Sequence, residues 1–278
     1  MLLKIVAALA GIGSVALCAG TGAFSGLRWL WMLPAGLAGG LVVFSLLAFL
    51  TLWFFCALVD MEKPQTEDSK FYRRLTYLYI DAIFVLLQMR VHTRGLEALP
   101  REGRFLLVCN HLNDMDPVTL MGCCKNSQLA FISKRENDSK FLVGKLMHKI
   151  LCQPINREND REALKTILNC VGIIREDKAS IAVFPEGYTS LDGKLHPFRS
   201  GVFKIAQKAQ VPIVVCTLQN TQYIFRNALR LKPTDVHLHL LGVIPPEEWK
   251  GVTAVEMGSR VHRMMAEDLG PENVLADA

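Results

Sequence analysis

The chain is 278 residues long, 51% hydrophobic and 21% charged, with 31 Lys and Arg against 26 Asp and Glu. It is too apolar for a disordered tail, too long for a disulfide miniprotein and has too little Gly and Pro for a collagen. Its net charge of +5 is slight and interspersed with acids, which gives no argument for nucleic acid as a partner.

The charges are unevenly spread, for residues 1–59 hold only Lys4 and Arg28. The uncharged runs 5–27 and 29–59 each exceed, at about 1.5 Å per residue, the roughly 30 Å hydrocarbon core of a bilayer. Residues 1–60 are therefore expected to form a hairpin of two N-terminal transmembrane helices. Pro34 and the glycines after it predict a second helix from about Ala35 to Val59, preceded by an interfacial stretch from Trp29 to Leu33. Gly22 with Gly26, and Gly36 with Gly40, have the small-xxx-small spacing that lets helices approach closely. A cleaved signal peptide is the alternative for the first run, with Lys4 as its charge and small residues near Cys18 to Gly20 as its end. Lys63, Lys70, Arg73 and Arg74 follow the second span, whereas the inter-span loop offers only Arg28. By the positive-inside rule the remainder of the chain lies on the cytoplasmic face of the membrane. The eight cysteines, with no C-x-x-C pair, read as buried reduced thiols, and the seven histidines show no zinc spacing.

Residues 61–90 contain an amphipathic juxtamembrane helix, with apolar positions 71, 75, 78, 82, 85, 86 and 89. It either lies on the headgroups or packs on the domain, and the stripe favours packing. From 91 to 278, short apolar runs at 105–109, 129–133, 180–184, 212–217 and 236–244 predict strands. They alternate with predicted helices at 117–124, 138–150, 160–176, 200–210 and 253–269. This alternation predicts an α/β fold with a mostly parallel sheet flanked by helices.

Several motif matches fail their context. The G-x-G-x-x-A at Gly11 lies in a membrane run with no acidic residue about 20 positions on, Gly187 to Lys194 has the wrong P-loop spacing, and no G-x-S-x-G occurs. His237 and His239 share a strand face and read as half-exposed rather than as ligands.

The strand FLLVC runs into NHLNDMDP, with His111 just past the strand end and Asp116 before Pro117. Asp116 as a helix N-cap beside a loop histidine is one reading. In the other, Asp116 turns back onto the His111 imidazole and fixes its tautomer, while the second ring nitrogen takes a proton from a substrate hydroxyl. The strand SIAVF likewise delivers FPEGYTS to a strand end, the usual place for α/β sites.

These blocks resemble those of the glycerophospholipid acyltransferase family, most closely the lysophosphatidic acid (1-acylglycerol-3-phosphate) acyltransferases. NHLNDMD resembles the N-H-x-x-x-x-D block, PINR at 154–157 the second, FPEG at 184–187 the third and VPIV at 211–214 the fourth. The resemblance implies His111 as general base with Asp116 as its partner, and Arg157 as a contact to the acceptor phosphate. It implies Glu186, Gly187, Thr189 and Ser190 as the block shaping the acceptor site, and Lys134 as a donor to an oxyanion or phosphate. The third block of the family usually reads E-G-T-R-S, so Thr189 stands where an Arg is usual. Either Lys134, Arg157, Arg199 or Lys204 compensates, or the acceptor is not a phosphomonoester.

The implied activity is transfer of a fatty acyl group from acyl-CoA or acyl-acyl carrier protein to the hydroxyl of lysophosphatidic acid. The product is phosphatidic acid for phospholipid synthesis, and neither cofactor nor metal is required. The alternatives are another lysolipid or hydroxyl-bearing lipid as acceptor, a non-catalytic membrane lipid-binding protein, and a hydrolase that activates water with the same pair.

Overall fold

In the computed structural model, which describes residues 1–156, 159–190 and 192–275, the apolar N-terminus folds into two antiparallel helices, α1 (Leu2–Gly20) and α2 (Trp29–Ala57). Both are long and apolar enough to cross a membrane. They meet where glycine permits it. A Cβ on Gly40 would lie 2.9 Å from the Ala10 Cα, and one on Gly36 would lie 2.8 Å from the Ser14 hydroxyl. Gly22 and Gly26 do not share this role. Gly22, at φ +64°, turns the chain between the helices, and a Cβ on Gly26 would meet nothing within 4 Å.

Pro34 does not divide the second run, because α2 is continuous from Trp29 and holds Pro34 in its second turn. A proline there forfeits only one intrahelical bond, to the Leu30 carbonyl. The neighbouring Leu33 carbonyl accepts the Ser14 hydroxyl at 2.6 Å, a second tie between the helices. Gly40→Val is expected to force the helices apart at Ala10. A disulfide engineered one turn away at residues 14 and 36, where the Cβ atoms would lie 3.3 Å apart, should then form readily in the parent chain and poorly in the variant.

α3 (Lys70–Leu86) is capped by Ser69, whose side chain accepts the Tyr72 N–H. It runs antiparallel along the end of α2: Tyr72 donates to the Phe55 carbonyl at 2.9 Å and Tyr79 to the Ala48 carbonyl at 2.6 Å. Its buried residues are Arg73, Thr76, Ile80 and Ala82, while Phe71, Val85 and Leu86 of the expected inward stripe are exposed. Arg73 is buried because its charge is met: Asp68 accepts from Nε at 2.7 Å, and the Leu129 and Ile150 carbonyls accept from the guanidinium ends. It is therefore a bolt between helix and domain.

The sheet has seven strands: β1 (Met89–Arg94), β2 (Leu106–Cys109), β3 (Leu129–Lys134), β4 (Gln153–Ile155), β5 (Ser180–Val183), β6 (Ile213–Gln219) and β7 (Thr234–Ile244). Their order is β1-β7-β6-β2-β5-β3-β4, and every pairing is parallel except β6 with β7. β1 and β4 sit at the edges and were not foreseen. MRVHTR is too polar to read as a strand, and QPI is three residues with a proline, which only an edge tolerates.

The remaining helices are α4 (Asp116–Cys123), α5 (Phe141–Lys149), α6 (Asp160–Arg175), α7 (Lys204–Ala209), α8 (Ile224–Leu229) and α9 (Ala254–Leu269). Two expected helices are shorter than foreseen, since 3-10 turns at Arg135–Ser139 and Ser200–Phe203 precede α5 and α7. α9 opens with the foreseen capping box, in which Thr253 and Glu256 satisfy each other's backbone N–H groups.

Because strand side chains alternate, the central strands feed two cores. Leu106, Val108, Ile181 and Val215 pack under α6 and α9 with Ile167, Val261 and Met265. Leu107, Val214 and Cys216 pack on the other face with Leu120, Ile150 and Ile80. Each such side chain contributes about 1.5–3 kcal/mol by leaving water. All eight cysteines are unpaired and seven are buried.

Candidate active site

β2, β5, β3 and β6 run the same way, so their carboxyl ends gather at one end of the sheet. Asn110 locks that end: its amide donates to the Leu218 carbonyl at 2.9 Å and accepts the Leu218 N–H at 2.7 Å, tying the end of β2 to β6. His111 follows. Its Nδ1 lies 2.9 Å from Asp116 Oδ2, and that same oxygen accepts the N–H groups of Leu112 at 2.6 Å and Asn113 at 2.8 Å. Asp116 is fully buried. An oxygen that already accepts two N–H groups can only accept again, so Nδ1 carries a proton, and in the neutral imidazole the Nε2 lone pair is free.

Asp116 is the first residue of α4 rather than its cap, because the Met115 carbonyl already accepts the Thr119 N–H at 2.8 Å. The two readings of this aspartate therefore merge, since one carboxylate both closes the backbone turn and holds the imidazole. Phe184, at the end of β5, fixes the ring plane by stacking on His111 with centroids 4.2 Å apart and planes 16° apart.

The loop after β5 is drawn onto His111 by two backbone bonds and braced by a third within it. Glu186 accepts the His111 N–H at 2.8 Å through one oxygen and the His196 N–H at 3.0 Å through the other. The Ser190 N–H donates to the His111 carbonyl at 2.8 Å. The Ser190 hydroxyl lies 2.7 Å from both the Asp192 carboxylate and the Lys194 carbonyl, with one proton to share between them, and so shapes the loop. The result places the Thr189 hydroxyl 3.1 Å from His111 Nε2, where it donates to the free lone pair. A hydroxyl, an imidazole and a carboxylate thus stand in line, the arrangement that draws a proton from an alcohol.

The acyltransferase family profile matches residues 90–219, which contain all of these groups. The chain is 31% identical over 178 residues to a probable 1-acyl-sn-glycerol-3-phosphate acyltransferase of Mycoplasma pneumoniae, covering 62% of this chain and 64% of that protein. It is 28% identical over 171 residues to the 1-acyl-sn-glycerol-3-phosphate acyltransferase of Cocos nucifera, covering 61% and 55%. The matched segment thus spans less than two thirds of either relative. The crystal structure of the 1-acyl-sn-glycerophosphate acyltransferase PlsC from Thermotoga maritima shares the fold. Its TM-score is 0.62 at 21% identity, over 82% of this chain and 89% of that one.

Of the cations expected at the site, Lys134 stands apart from His111. Lys134 ends β3 and is exposed, in register with Ile155 of β4. β3 is two strands from β2, about 10 Å across the sheet. Arg157 lies outside the described residues, and Lys204 opens α7. Arg199 is the cation at the third block. Its N–H donates to the Pro185 carbonyl at 2.8 Å, and its side chain lies across Gly187, where a Cβ would sit 2.9 Å from Nε. Gly187, at φ +84°, is required on both counts, for the turn and for the room it leaves. Phe184 and Asn110 were not anticipated in these roles, whereas Arg199 is among the cations expected to compensate for Thr189. The first two flank motif residues in sequence, whereas Arg199 is brought in by the loop.

Burial pushes the Glu186 carboxyl up from 4.5 to about 7, against the lowering effect of its two N–H bonds. Between these values Glu186 holds a proton in the folded chain that it has released in the unfolded one, so its contribution to stability falls as pH rises from 4.5 to about 7 and is level above. Denaturation at a series of pH values should show the parent losing about 3 kcal/mol relative to Glu186→Gln across that window. A constant difference would contradict it.

Proposed function

We propose that the chain is a membrane-anchored acyltransferase that moves a fatty acyl group from an acyl thioester to the hydroxyl of lysophosphatidic acid, giving phosphatidic acid. The single observation carrying this reading is the hydroxyl on His111 Nε2, with Nδ1 held by a buried carboxylate. The Thr189 hydroxyl marks where the acceptor hydroxyl goes. As the acceptor oxygen attacks the thioester carbonyl, Nε2 takes its proton, and Asp116 supports the imidazolium. The tetrahedral intermediate then collapses, and the departing thiolate of coenzyme A or acyl carrier protein receives that proton. A thioester is already activated, so holding two amphiphiles together supplies much of the remaining rate.

The domain division proposed is a membrane hairpin over 1–60, a juxtamembrane helix within 61–90 and the acyltransferase domain over 91–278, on the cytoplasmic face. Lys63, Lys70 and Arg74 support that orientation. Lys134, Arg157 and Arg199 are the proposed phosphate contacts, with Glu186, Gly187 and Ser190 shaping the loop.

Thr189 favours a second reading, in which the acceptor lacks a phosphomonoester, because a neutral hydroxyl replaces a charge-assisted donor. Acyl transfer on membranes, with lysophosphatidic acid beside lysophosphatidylglycerol, lysophosphatidylethanolamine and an ornithine lipid precursor, separates the two. If phosphatidic acid is the product, Arg199→Ala should raise KM for lysophosphatidic acid roughly 10-fold or more, the loss of one charged hydrogen bond, with little change in kcat. An unchanged KM would remove Arg199 from the phosphate site, and transfer only to other acceptors would establish the second reading.

A further inference from the structure

Where α8 leads into β7 the chain exposes apolar side chains that neither the cores nor the candidate site uses. Leu229 is 89% exposed and Leu231 81%, more than any other large apolar residue among those described, the hairpin included. Phe225 is exposed on α8. The exposed Val85 and Leu86 end α3 on the approach to β1, which starts side by side with β7. Met89 pairs with Thr234, and the Thr234 N–H donates to the Gln88 carbonyl at 3.1 Å.

The charge here has one sign. Residues 220–234 contain Arg226, Arg230 and Lys232 and no acid. Asp235, the next residue, is bound to His92 at 2.8 Å. Exposed leucines among unopposed cations suit a surface that is anionic outside and apolar beneath, which is an acidic bilayer.

The topology says which way this surface faces. α3 begins beside Phe55 and reaches Ala48 by Tyr79, so it runs toward the loop end of the α1–α2 hairpin and delivers the chain to β1. β1 and β7 start at the end of the sheet where β2 and β6 finish, since β6 and β7 are antiparallel. The patch, the hairpin loop and the His111 end of the sheet therefore point the same way. We propose that residues 225–232 with Val85 and Leu86 form a second membrane contact, which seats the His111 end of the sheet on an anionic lipid surface. Anchoring by the hairpin raises the local concentration of that surface, so a few leucines and three cations suffice.

The test places a tryptophan at Leu231, an exposed position that tolerates it, in the full-length chain. The chain is reconstituted in phosphatidylcholine vesicles with or without phosphatidylglycerol, each doped with lipid brominated on its acyl chains. The native hairpin tryptophans, Trp29, Trp31 and Trp53, report insertion in every sample. Fluorescence added by Leu231→Trp should be quenched in the anionic vesicles, and the quenching should fall when Arg226, Arg230 and Lys232 are all changed to Glu. No quenching of the added indole, with the hairpin quenched as before, would overturn the contact. Quenching indifferent to phosphatidylglycerol and to the three charges would overturn the anionic partner. Burial of the indole against a second copy of the chain, seen as cross-linking at residue 231 without bromine quenching, would overturn it as well.

Discussion

Replacing His111 with alanine is expected to lower the rate of acyl transfer about 10²–10⁴-fold, the usual worth of a positioned general base, while the protein still inserts and folds. Its ring contributes stacking on Phe184 and a bond to Asp116, both local to the end of β2. The fold rests instead on the central strands and on Asn110. The measurement is release of thiol from an acyl thioester in the presence of each lysolipid. His111→Gln provides a second variant, because its amide can still meet Asp116 but cannot accept a proton at Nε2. Turnover near the parent level in both would remove His111 as the base. Thiol release without a lysolipid acceptor, abolished in both variants, would instead indicate a hydrolase.

Asp116 is expected to separate stability from activity. Asp116→Ala strands the N–H groups of Leu112 and Asn113 in a buried turn, at about 1–3 kcal/mol each, so destabilisation of about 2–6 kcal/mol is expected. Asp116→Asn keeps an oxygen for those N–H groups and retains most of the stability. An amide cannot support an imidazolium as a carboxylate does, and it can invert the tautomer of His111. The rate in Asp116→Asn should therefore fall by orders of magnitude with a small change in the thermal midpoint. Equal losses of rate and stability in the two variants would mean that Asp116 acts only as a structural clasp.

Both effects trace to one oxygen. Asp116 Oδ2 receives two backbone donors and Nδ1 of His111, so the loop conformation, the ring orientation and the tautomer are set together. Glu186 does similar work from the opposite side, with each oxygen on a different loop N–H. Neither function is visible from residue type. H-x-x-x-x-D says that a histidine and an aspartate stand close along the chain, and it does not say that the carboxylate turns back.

The foreseen elements are those whose signal is local. FLLVC, SIAVF and PIVVCT are continuous apolar runs that only a strand buried on both faces can satisfy, and they form β2, β5 and β6. The two uncharged runs form α1 and α2 for the same reason, since nothing in them can face water over that length. α3 marks the limit of periodicity. The presence of a helix followed from the pattern, but its buried face did not, because Arg73 turns inward to carbonyls contributed from β3 and the end of α5. The edge strands escaped because an edge needs hydrogen-bond partners more than apolar side chains.

The sequence by itself determined the division into an apolar hairpin and an α/β domain, the parallel strands, and the residues at the carboxyl ends of β2 and β5. Burial of apolar side chains in a repeating pattern is a property of each segment alone. The fold alone brings the Thr189 hydroxyl onto His111 Nε2, lays Arg199 across Gly187, and sets Leu229 and Leu231, just ahead of β7, at the His111 end of the sheet. Each of these joins segments distant in the chain, and their meeting depends on strand order and on a left-handed glycine, which no single stretch of residues encodes.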